Sequence, residues 1–220
     1  MAADKKTYLE DFARKLQKVW PDNESVTVAC HGHSIPCGYT AENITRPFDA
    51  YPHLFHAGLS ERFPHSVINV IVTAKGGENS VSGARRFERD VLSHRPYLVT
   101  FDYGRNDMFL TAAQMRGAWR DMTEKALEAG CKVLLLTPAP DSGAVYYEEN
   151  ERLLTDMEMS EIIHETADRF SVGLANVHET FERLFAQGHT RSEYAASVNH
   201  PGRRGHETIA DCMLEWVPYV

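Results

Sequence analysis

The feature that most constrains the fold of this chain is a regular alternation between short apolar runs and longer segments of helical periodicity. Five apolar runs predict strands at residues 26–30, 67–72, 97–101, 133–137 and 173–177. Segments with helical spacing lie at residues 4–19, 53–63, 80–94, 112–129, 148–169, 178–187 and 203–216. Strands that are apolar on both faces and alternate with helices predict a parallel sheet covered by helices on both sides.

Length and composition indicate one folded unit. The 220 residues contain no linker, internal repeat or low-complexity tract, so we predict a single domain over residues 1–220. Hydrophobic residues make up 43 % and charged residues 25 %, which excludes a disordered or fibrous chain. The net charge is −8, and no basic block stands beside an aromatic cluster, so we expect no nucleic-acid partner. Four cysteines are too few for a disulfide framework.

The amino-terminal region bears on localisation. It has no apolar core of signal-peptide length, and no stretch approaches the roughly 20 apolar residues of a membrane span. The sequence as given therefore predicts a cytoplasmic protein with no membrane partner. A signal peptide removed before residue 1 would leave the same sequence. The pattern does not indicate an oligomeric state.

Chemically useful residues follow the predicted strands. In an open parallel sheet, ligands bind beyond the carboxyl ends of the strands. Ser34 follows the first strand, the pair Gly76 and Gly77 follows the second, Asn106 follows the third, and His200 lies in a late loop. A serine hydroxyl becomes a nucleophile when a neighbouring base takes its proton, and an oxyanion requires preorganised N–H donors. These residue types therefore suit acyl transfer.

Four ordered blocks resemble the SGNH hydrolases, also called the GDSL esterase family. The blocks are VACHGHSIPCGY, INVIVTAKGGENS, VTFDYGRNDM and SVNHPGRRGHETIA, and together they span about residues 25–215. The resemblance implies a flavodoxin-like three-layer α/β/α fold and hydrolysis of esters, often acetyl groups on carbohydrates, without a cofactor. It makes Ser34 the nucleophile and His200 the general base. The oxyanion would be held by the N–H groups of Ser34 and Gly77 and by the Asn106 amide.

Two positions depart from the family pattern. The family motif Gly-Asp-Ser has its Asp where this chain has His33, and the family's triad carboxylate lies where this chain has Ser197. A carboxylate fixes the tautomer of the imidazole and stabilises its charged form, and spoiling that role costs about 10⁴ in rate in a serine protease. We therefore favour a Ser34–His200 dyad, oriented by the Ser197 hydroxyl or by a main-chain carbonyl.

Other residues near the site have more than one interpretation. A carboxylate from elsewhere, Glu193 or Asp102, could orient the base instead. His33 is expected to shape the pocket beside the nucleophile and so to contact substrate. Arg105, inside the Gly-x-Asn-Asp block, is either a substrate-contacting cation or a solvated loop residue.

The sequence also allows two other classes of function. His31 and His33 alternate at a strand end, and His53 and His56 lie three residues apart, spacings that can bind zinc in a metal-dependent hydrolase. No Asp or Glu accompanies the first pair at a familiar ligand spacing, so we expect no metal. A non-catalytic ligand-binding relative is the second alternative, and Ser197 is the residue that keeps it open.

The irregular stretch over residues 38–66 is expected to shape the site. Its aromatic residues Tyr39, Phe48, Tyr51 and Phe55 could line a sugar-binding wall, although aromatic residues in such loops commonly pack locally. Nothing indicates a long apolar channel, so we expect a short acyl group. If the base must be neutral to act, the rate should rise through a pKa of about 6–7.

Overall fold

The computed structural model describes residues 1–41, 44–141 and 153–219. Five strands are present in this part of the chain: β1 Ser25–Gly32, β2 Val67–Val72, β3 Leu98–Asp102, β4 Lys132–Leu136 and β5 Gly173–Ala175. They form one parallel sheet in the order β2-β1-β3-β4-β5. The predicted parallel sheet is confirmed, and each predicted strand lies within two residues of the observed one.

The described residues form nine α-helices: α1 Glu10–Leu16, α2 Tyr51–Arg62, α3 Ser80–Ala84, α4 Phe87–Asp90, α5 Gly104–Asp107, α6 Ala112–Glu128, α7 Asp156–Phe170, α8 Val177–Ala186 and α9 Arg203–Leu214. Short 3-10 helices lie at Pro47–Asp49, Leu92–His94 and Arg191–Glu193. None of these helices is both long enough and apolar enough to cross a membrane.

Three predicted helices differ from the observed ones. The helix predicted over residues 4–19 is shorter in the structure, where α1 covers Glu10–Leu16. The single helix predicted over residues 80–94 is divided into α3, α4 and a 3-10 turn. The helix predicted over residues 148–169 lies partly outside the described residues, and α7 begins at Asp156. Thr155 caps α7, because its side chain accepts the N–H of Glu158 and the Glu158 side chain accepts the N–H of Thr155.

Helices cover both faces of the sheet. On one face, the ring of Phe101 from β3 lies 5.4 Å from the ring of Phe87 in α4 and 6.3 Å from that of Trp119 in α6. On the opposite face α2 packs against α9, and the N–H of Tyr51 donates to Nδ1 of His206 over 3.2 Å. The three-layer α/β/α architecture is therefore confirmed.

The edge strand β2 differs from the inner strand β3. Every residue of β3 is buried. β2 reads VINVIV, the most β-branched run in the chain, yet Val67 is 50 % exposed and Val72 is 43 % exposed. The expectation of burial on both faces is correct for β3 and wrong for β2, because β2 has a neighbouring strand on one side only.

The carboxyl ends of β1 and β3 position the candidate site. Gly32 lies opposite Asp102 in the sheet register. A Cβ atom at Gly32 would collide with the carbonyl oxygen of Asp102 and with the ring of Pro36, so glycine is required there. The next residue, His33, donates its N–H to the same Asp102 carbonyl over 3.2 Å. The turn that carries Ser34 therefore begins directly at the edge of the sheet.

Candidate active site

The two residues predicted to be catalytic meet at the carboxyl end of the sheet. Ser34 follows β1, and His200 lies in the loop before α9. Nε2 of His200 is 2.8 Å from Oγ of Ser34, and both side chains are half-buried. This distance falls within hydrogen-bonding reach of a nucleophile and its base.

The other ring nitrogen of His200 contacts Ser197. Nδ1 of His200 lies 3.2 Å from Oγ of Ser197. If Nε2 is to accept the Ser34 proton, Nδ1 must carry the ring hydrogen and donate it to the Ser197 hydroxyl. The carbonyl of His200 also accepts the N–H groups of Ala196 and Ser197, over 2.9 and 3.3 Å. Ser197 thus occupies the place of the orienting group that the sequence favours.

Neither alternative carboxylate contacts the base. Glu193 pairs with Arg204 and with His189, whose Nδ1 lies 3.3 Å from the Glu193 carboxylate. Asp102 instead faces His33, with 3.4 Å between Oδ1 and Nε2. Within the described residues, no carboxylate lies within ion-pair distance of the His200 imidazole.

This environment lowers the basicity of His200. Burial lowers the pKa of His200 from 6.5 to about 4. An adjacent carboxylate would favour the charged form and oppose this shift, whereas a hydroxyl is neutral. The structure therefore predicts that the rate rises through a lower pKa than the value of about 6–7 expected from the sequence. His200 is neutral, and able to accept a proton, throughout the mildly acidic range.

The turn of residues 33–35, called here the nucleophile turn after the predicted role of Ser34, has one backbone N–H group without a hydrogen-bond acceptor among the residues described. The N–H of His33 donates to the carbonyl of Asp102 over 3.2 Å. The N–H of Ile35 donates to Nδ1 of His33 over 3.1 Å. Between them, the N–H of Ser34 has no acceptor in the part of the chain that the structure describes.

Gly77 is the glycine of the pair with an open amide. Its φ is +78°, in the left-handed region that glycine adopts without strain. No hydrogen-bond acceptor for the N–H of Gly77 is found among the described residues. At Gly76 a Cβ atom would lie 3.1 Å from the ring of Tyr39, whereas at Gly77 the space is open. Gly77 therefore has both an open amide and room for a ligand beside it.

Asn106 lies beside this glycine. Its Nδ2 donates to the carbonyl of Glu78 over 2.8 Å, which fixes the amide next to Gly77. A carboxamide carries two N–H hydrogens, so one remains for a ligand. The N–H of Lys75 donates to the carbonyl of Gly32 over 3.0 Å and brings the same loop against the nucleophile turn.

Two ionised side chains hold the Gly77 loop. Asp107 accepts the N–H of Ser80 and the indole N–H of Trp119, each over 2.7 Å. Burial raises the pKa of Asp107 to about 6. Arg86 pairs with Glu78 through its guanidinium. Asp107 therefore acts as a hydrogen-bond acceptor that holds this loop against α6.

The two predicted substrate contacts, His33 and Arg105, are wrong. The His33 side chain is completely buried. Arg105 is 3 % exposed and donates to the carbonyl of Ala139 over 3.0 Å and to Asp156 and Asp141 over 2.9 and 3.2 Å. Arg105 is therefore neither a free cation nor a solvated loop residue, since it joins segments that converge at the sheet edge.

One aromatic residue of the 38–66 stretch reaches the site. The ring of Tyr39 stacks on the imidazole of His200, with 6.2 Å between centroids and an interplanar angle of 28°. Tyr51 and Phe55 are fully buried, so they cannot line a wall for a sugar. Phe48 is exposed and packs against a histidine ring of α2. Tyr39 thus covers one face of the base.

A cavity adjoins the loop of the base. It has a volume of about 350 Å³, and Ala196 and Pro201 on either side of His200 contribute to its wall. The lining also includes the polar side chains of Thr40 and Arg46 and the apolar side chain of Ile44. The cavity therefore has mixed polarity.

The histidine pairs do not converge on a metal site. Nδ1 and Nε2 of His31 lie 2.9 Å from the Thr73 hydroxyl and 3.3 Å from the Gly83 carbonyl. The ring of His33 faces Asp102 instead. Across the described residues, no three His, Cys, Asp or Glu side chains are grouped so as to hold a metal ion. The donor set therefore does not favour the metal-dependent alternative.

Comparisons with known proteins identify the family of this chain. Residues 30–208 match the model of the GDSL-like lipase/acylhydrolase family. A search of curated proteins finds no match. Because the family model covers most of the chain, this protein belongs to the GDSL-like lipase/acylhydrolase family and is an esterase of that type.

Solved structures share the fold at low sequence identity. A protein described as a GDSL-like lipase, from Parabacteroides merdae, is 15 % identical with a TM-score of 0.76, over 87 % of this chain and 95 % of that chain. An acetylxylan esterase from Geobacillus stearothermophilus is 17 % identical with a TM-score of 0.74, over 89 % and 95 %. A two-domain esterase active on acetylated mannans is 17 % identical with a TM-score of 0.74, over 97 % of this chain and 54 % of that chain.

Proposed function

We propose that this GDSL-type esterase is a serine hydrolase that removes short acyl groups, acetyl above all, from a carbohydrate or another small ester. The observation that carries the proposal is the 2.8 Å hydrogen bond between Nε2 of His200 and Oγ of Ser34. It lies beside the unoccupied N–H of Ser34. A base, a nucleophile and an oxyanion donor are therefore adjacent.

In the first step, Oγ of Ser34 attacks the ester carbonyl carbon while its proton moves to Nε2 of His200. The carbonyl oxygen becomes an oxyanion. The N–H groups of Ser34 and Gly77 and the second amide hydrogen of Asn106 are the proposed donors to it. Because these donors are held by the surrounding backbone, they need little reorganisation during the reaction.

In the second step, the tetrahedral intermediate expels the alcohol, which takes the proton from Nε2 of His200. The acyl group remains as an ester on Ser34. Water then gives a proton to Nε2 of His200 while its oxygen attacks this ester. When the second intermediate collapses, the carboxylic acid leaves and Oγ of Ser34 takes the proton back from His200. Each step charges the imidazole transiently, and its Nδ1 hydrogen is accepted by the neutral Ser197 hydroxyl.

The substrate class rests on two further observations. The names of two proteins that share the fold state activity on acetylated xylan and acetylated mannans. Variants of that xylan esterase described as catalytic mutants replace one serine and one histidine by alanine. The cavity beside the base has polar side chains in its wall, which suits the hydroxyl groups of a sugar.

Acetate release from acetylated xylo- and manno-oligosaccharides tests this proposal, with p-nitrophenyl esters of increasing acyl length as a second series. We expect acetate release, a fall in kcat/KM as the acyl chain lengthens, and loss of both activities in Ser34→Ala. Faster hydrolysis of a decanoate than of an acetate would contradict the short-acyl assignment. Absence of hydrolysis with every ester would instead indicate the non-catalytic, ligand-binding alternative.

A further inference from the structure

The residue before the nucleophile has two contacts that the proposed reaction does not use. His33 is completely buried, so its ring cannot meet substrate. Its Nδ1 accepts the N–H of Ile35 over 3.1 Å. Its Nε2 lies 3.4 Å from Oδ1 of Asp102, which is itself 3 % exposed.

These contacts determine which tautomer the His33 imidazole adopts. A nitrogen that accepts an N–H carries no hydrogen, so Nδ1 of His33 is unprotonated. The neutral ring then bears its hydrogen on Nε2, the nitrogen that faces the Asp102 carboxylate. At 3.4 Å this is an electrostatic contact rather than a well-formed hydrogen bond. The anion nevertheless favours the tautomer in which Nδ1 can accept.

The hydrogen bond from Ile35 has a known counterpart in turn geometry. Asp and Asn side chains commonly accept the backbone N–H two residues ahead, which is the Asx turn. In this chain an imidazole makes the equivalent bond. It occupies the N–H of Ile35, while the sheet edge occupies the N–H of His33. The amide between them, that of Ser34, is the one left open.

We propose that His33 is a positioning residue for the nucleophile, supported by Asp102. This inference rests on the proposed function of Ser34. By holding the N–H of Ile35, the ring sets the conformation of the turn, so that the hydroxyl and the N–H of Ser34 face the same reacting carbonyl. A turn free to relax would misplace both groups together, and small misplacements of this kind cost up to about 10²-fold in rate.

Two substitutions at one position test the role of the acceptor. His33→Leu fills similar volume without an acceptor, and we expect kcat to fall about 10- to 100-fold with little change in KM. His33→Asn supplies an oxygen that can accept the same N–H, and we expect kcat to recover to within a few-fold of wild type. The matched control is His31→Leu, a buried histidine of β1 whose ring nitrogens contact the Thr73 hydroxyl and the Gly83 carbonyl.

A further pair tests the part played by Asp102. His33→Asp restores an acceptor but places a second carboxylate beside the buried Asp102, and we expect a larger loss of kcat than in His33→Asn. Adding Asp102→Asn to His33→Asp should recover part of that loss. Thermal unfolding of every variant gives the folded fraction by which kcat is normalised. Equal losses in His33→Leu and His33→Asn after this normalisation would overturn the inference.

Amide hydrogen exchange separates this inference from the proposed function. The N–H of Ile35 should be protected in wild type and in His33→Asn and should exchange faster in His33→Leu. An active wild-type enzyme with an unprotected Ile35 amide would overturn the role of His33. A protected amide in a protein that hydrolyses no ester would instead count against the proposed function, and the role in positioning a nucleophile would fall with it.

Discussion

His200 and His33, two histidines at the carboxyl edge of the sheet, differ in burial and in the group at their second ring nitrogen. His200 is half-buried, faces Ser34, and has only the Ser197 hydroxyl at its second nitrogen. His33 is completely buried and has the Asp102 carboxylate at its second nitrogen. His200, which would move the proton, therefore has no anion beside it in the described part of the chain. His33, which has the Asp102 carboxylate beside it, instead accepts a backbone N–H.

This difference has a chemical consequence for the base. Without a carboxylate, the burial of His200 is not offset, and its pKa falls to about 4. The imidazole is then available as a base even in mildly acidic solution. It is also a weaker base, and its charged form receives less stabilisation from a hydroxyl than from an anion.

The largest effects on kcat are expected at Ser34 and His200. Ser34→Ala and His200→Ala should each lower kcat for p-nitrophenyl acetate by about 10⁴- to 10⁶-fold, because each removes a reacting group. His33→Leu should cost far less. Steady-state kinetics with matched unfolding curves give the comparison, and equal losses at His200 and His33 would erase the distinction between a catalytic and a positioning histidine.

The next largest loss of kcat is expected at Asn106, a proposed donor to the oxyanion. Asn106→Ala removes a hydrogen bond that forms fully with the developing charge, so kcat should fall about 10²- to 10³-fold with KM little altered. The same substitution also frees the Glu78 carbonyl, so a melting temperature is needed beside the kinetics. An unchanged kcat in a folded variant would remove Asn106 from the oxyanion site.

Substitution of Ser197 tests whether the missing carboxylate accounts for the low pKa of His200. Ser197→Asp places a carboxylate where the structure has a hydroxyl 3.2 Å from Nδ1 of His200. The pKa of His200 should rise from about 4, and activity should be preserved or increased at neutral pH. The acid limb of the pH–rate profile should move upward with it, whereas Ser197→Ala should leave the limb low. A profile that does not move, or a large loss of activity, would show that position 197 does not orient the base.

The smallest effect concerns stability in acid. Burial lowers the pKa of His31 and of His206 from 6.5 to about 4. Between pH 6.5 and 4 the unfolded chain binds these protons and the folded chain does not, so stability falls as pH decreases through this window. Each histidine contributes a slope of at most about 1.4 kcal/mol per pH unit. Urea unfolding at pH 7, 6 and 5 measures the slope. The raised pKa of Asp107 opposes it, so the test is the comparison with His31→Leu, whose slope should be smaller. Equal slopes in the two proteins would contradict a buried neutral His31.

The fold could be predicted because its signals are local. Apolar runs and helical periodicity specify strands and helices over a few residues, and local capping such as that of α6 by Thr111 fixes where a helix begins. The edge position of β2 could not be predicted, because an edge strand and a central strand can share the same apolar sequence. Leu153 and Met157 fit the helical periodicity over residues 148–169, yet they are 57 % and 66 % exposed.

The candidate site was predictable only in part, for a related reason. Motif spacing points to Ser34, His200 and Ser197, because their roles depend on residue type and order. The environment of Arg105 depends on Asp141 and Asp156, which come from distant segments. The support of His33 by Asp102 and the depressed pKa of His200 likewise arise from burial and contacts that only the folded chain creates.

The most direct test is the pH dependence of Ser34 labelling by a fluorophosphonate, with the adduct mapped by mass spectrometry. We expect a single adduct on Ser34, a labelling rate that is nearly constant from pH 8 to pH 5 and falls around a pKa of about 4, and loss of labelling in His200→Ala. An adduct elsewhere, or labelling of Ser34 that persists in His200→Ala, would contradict a serine activated by this unusually weak base.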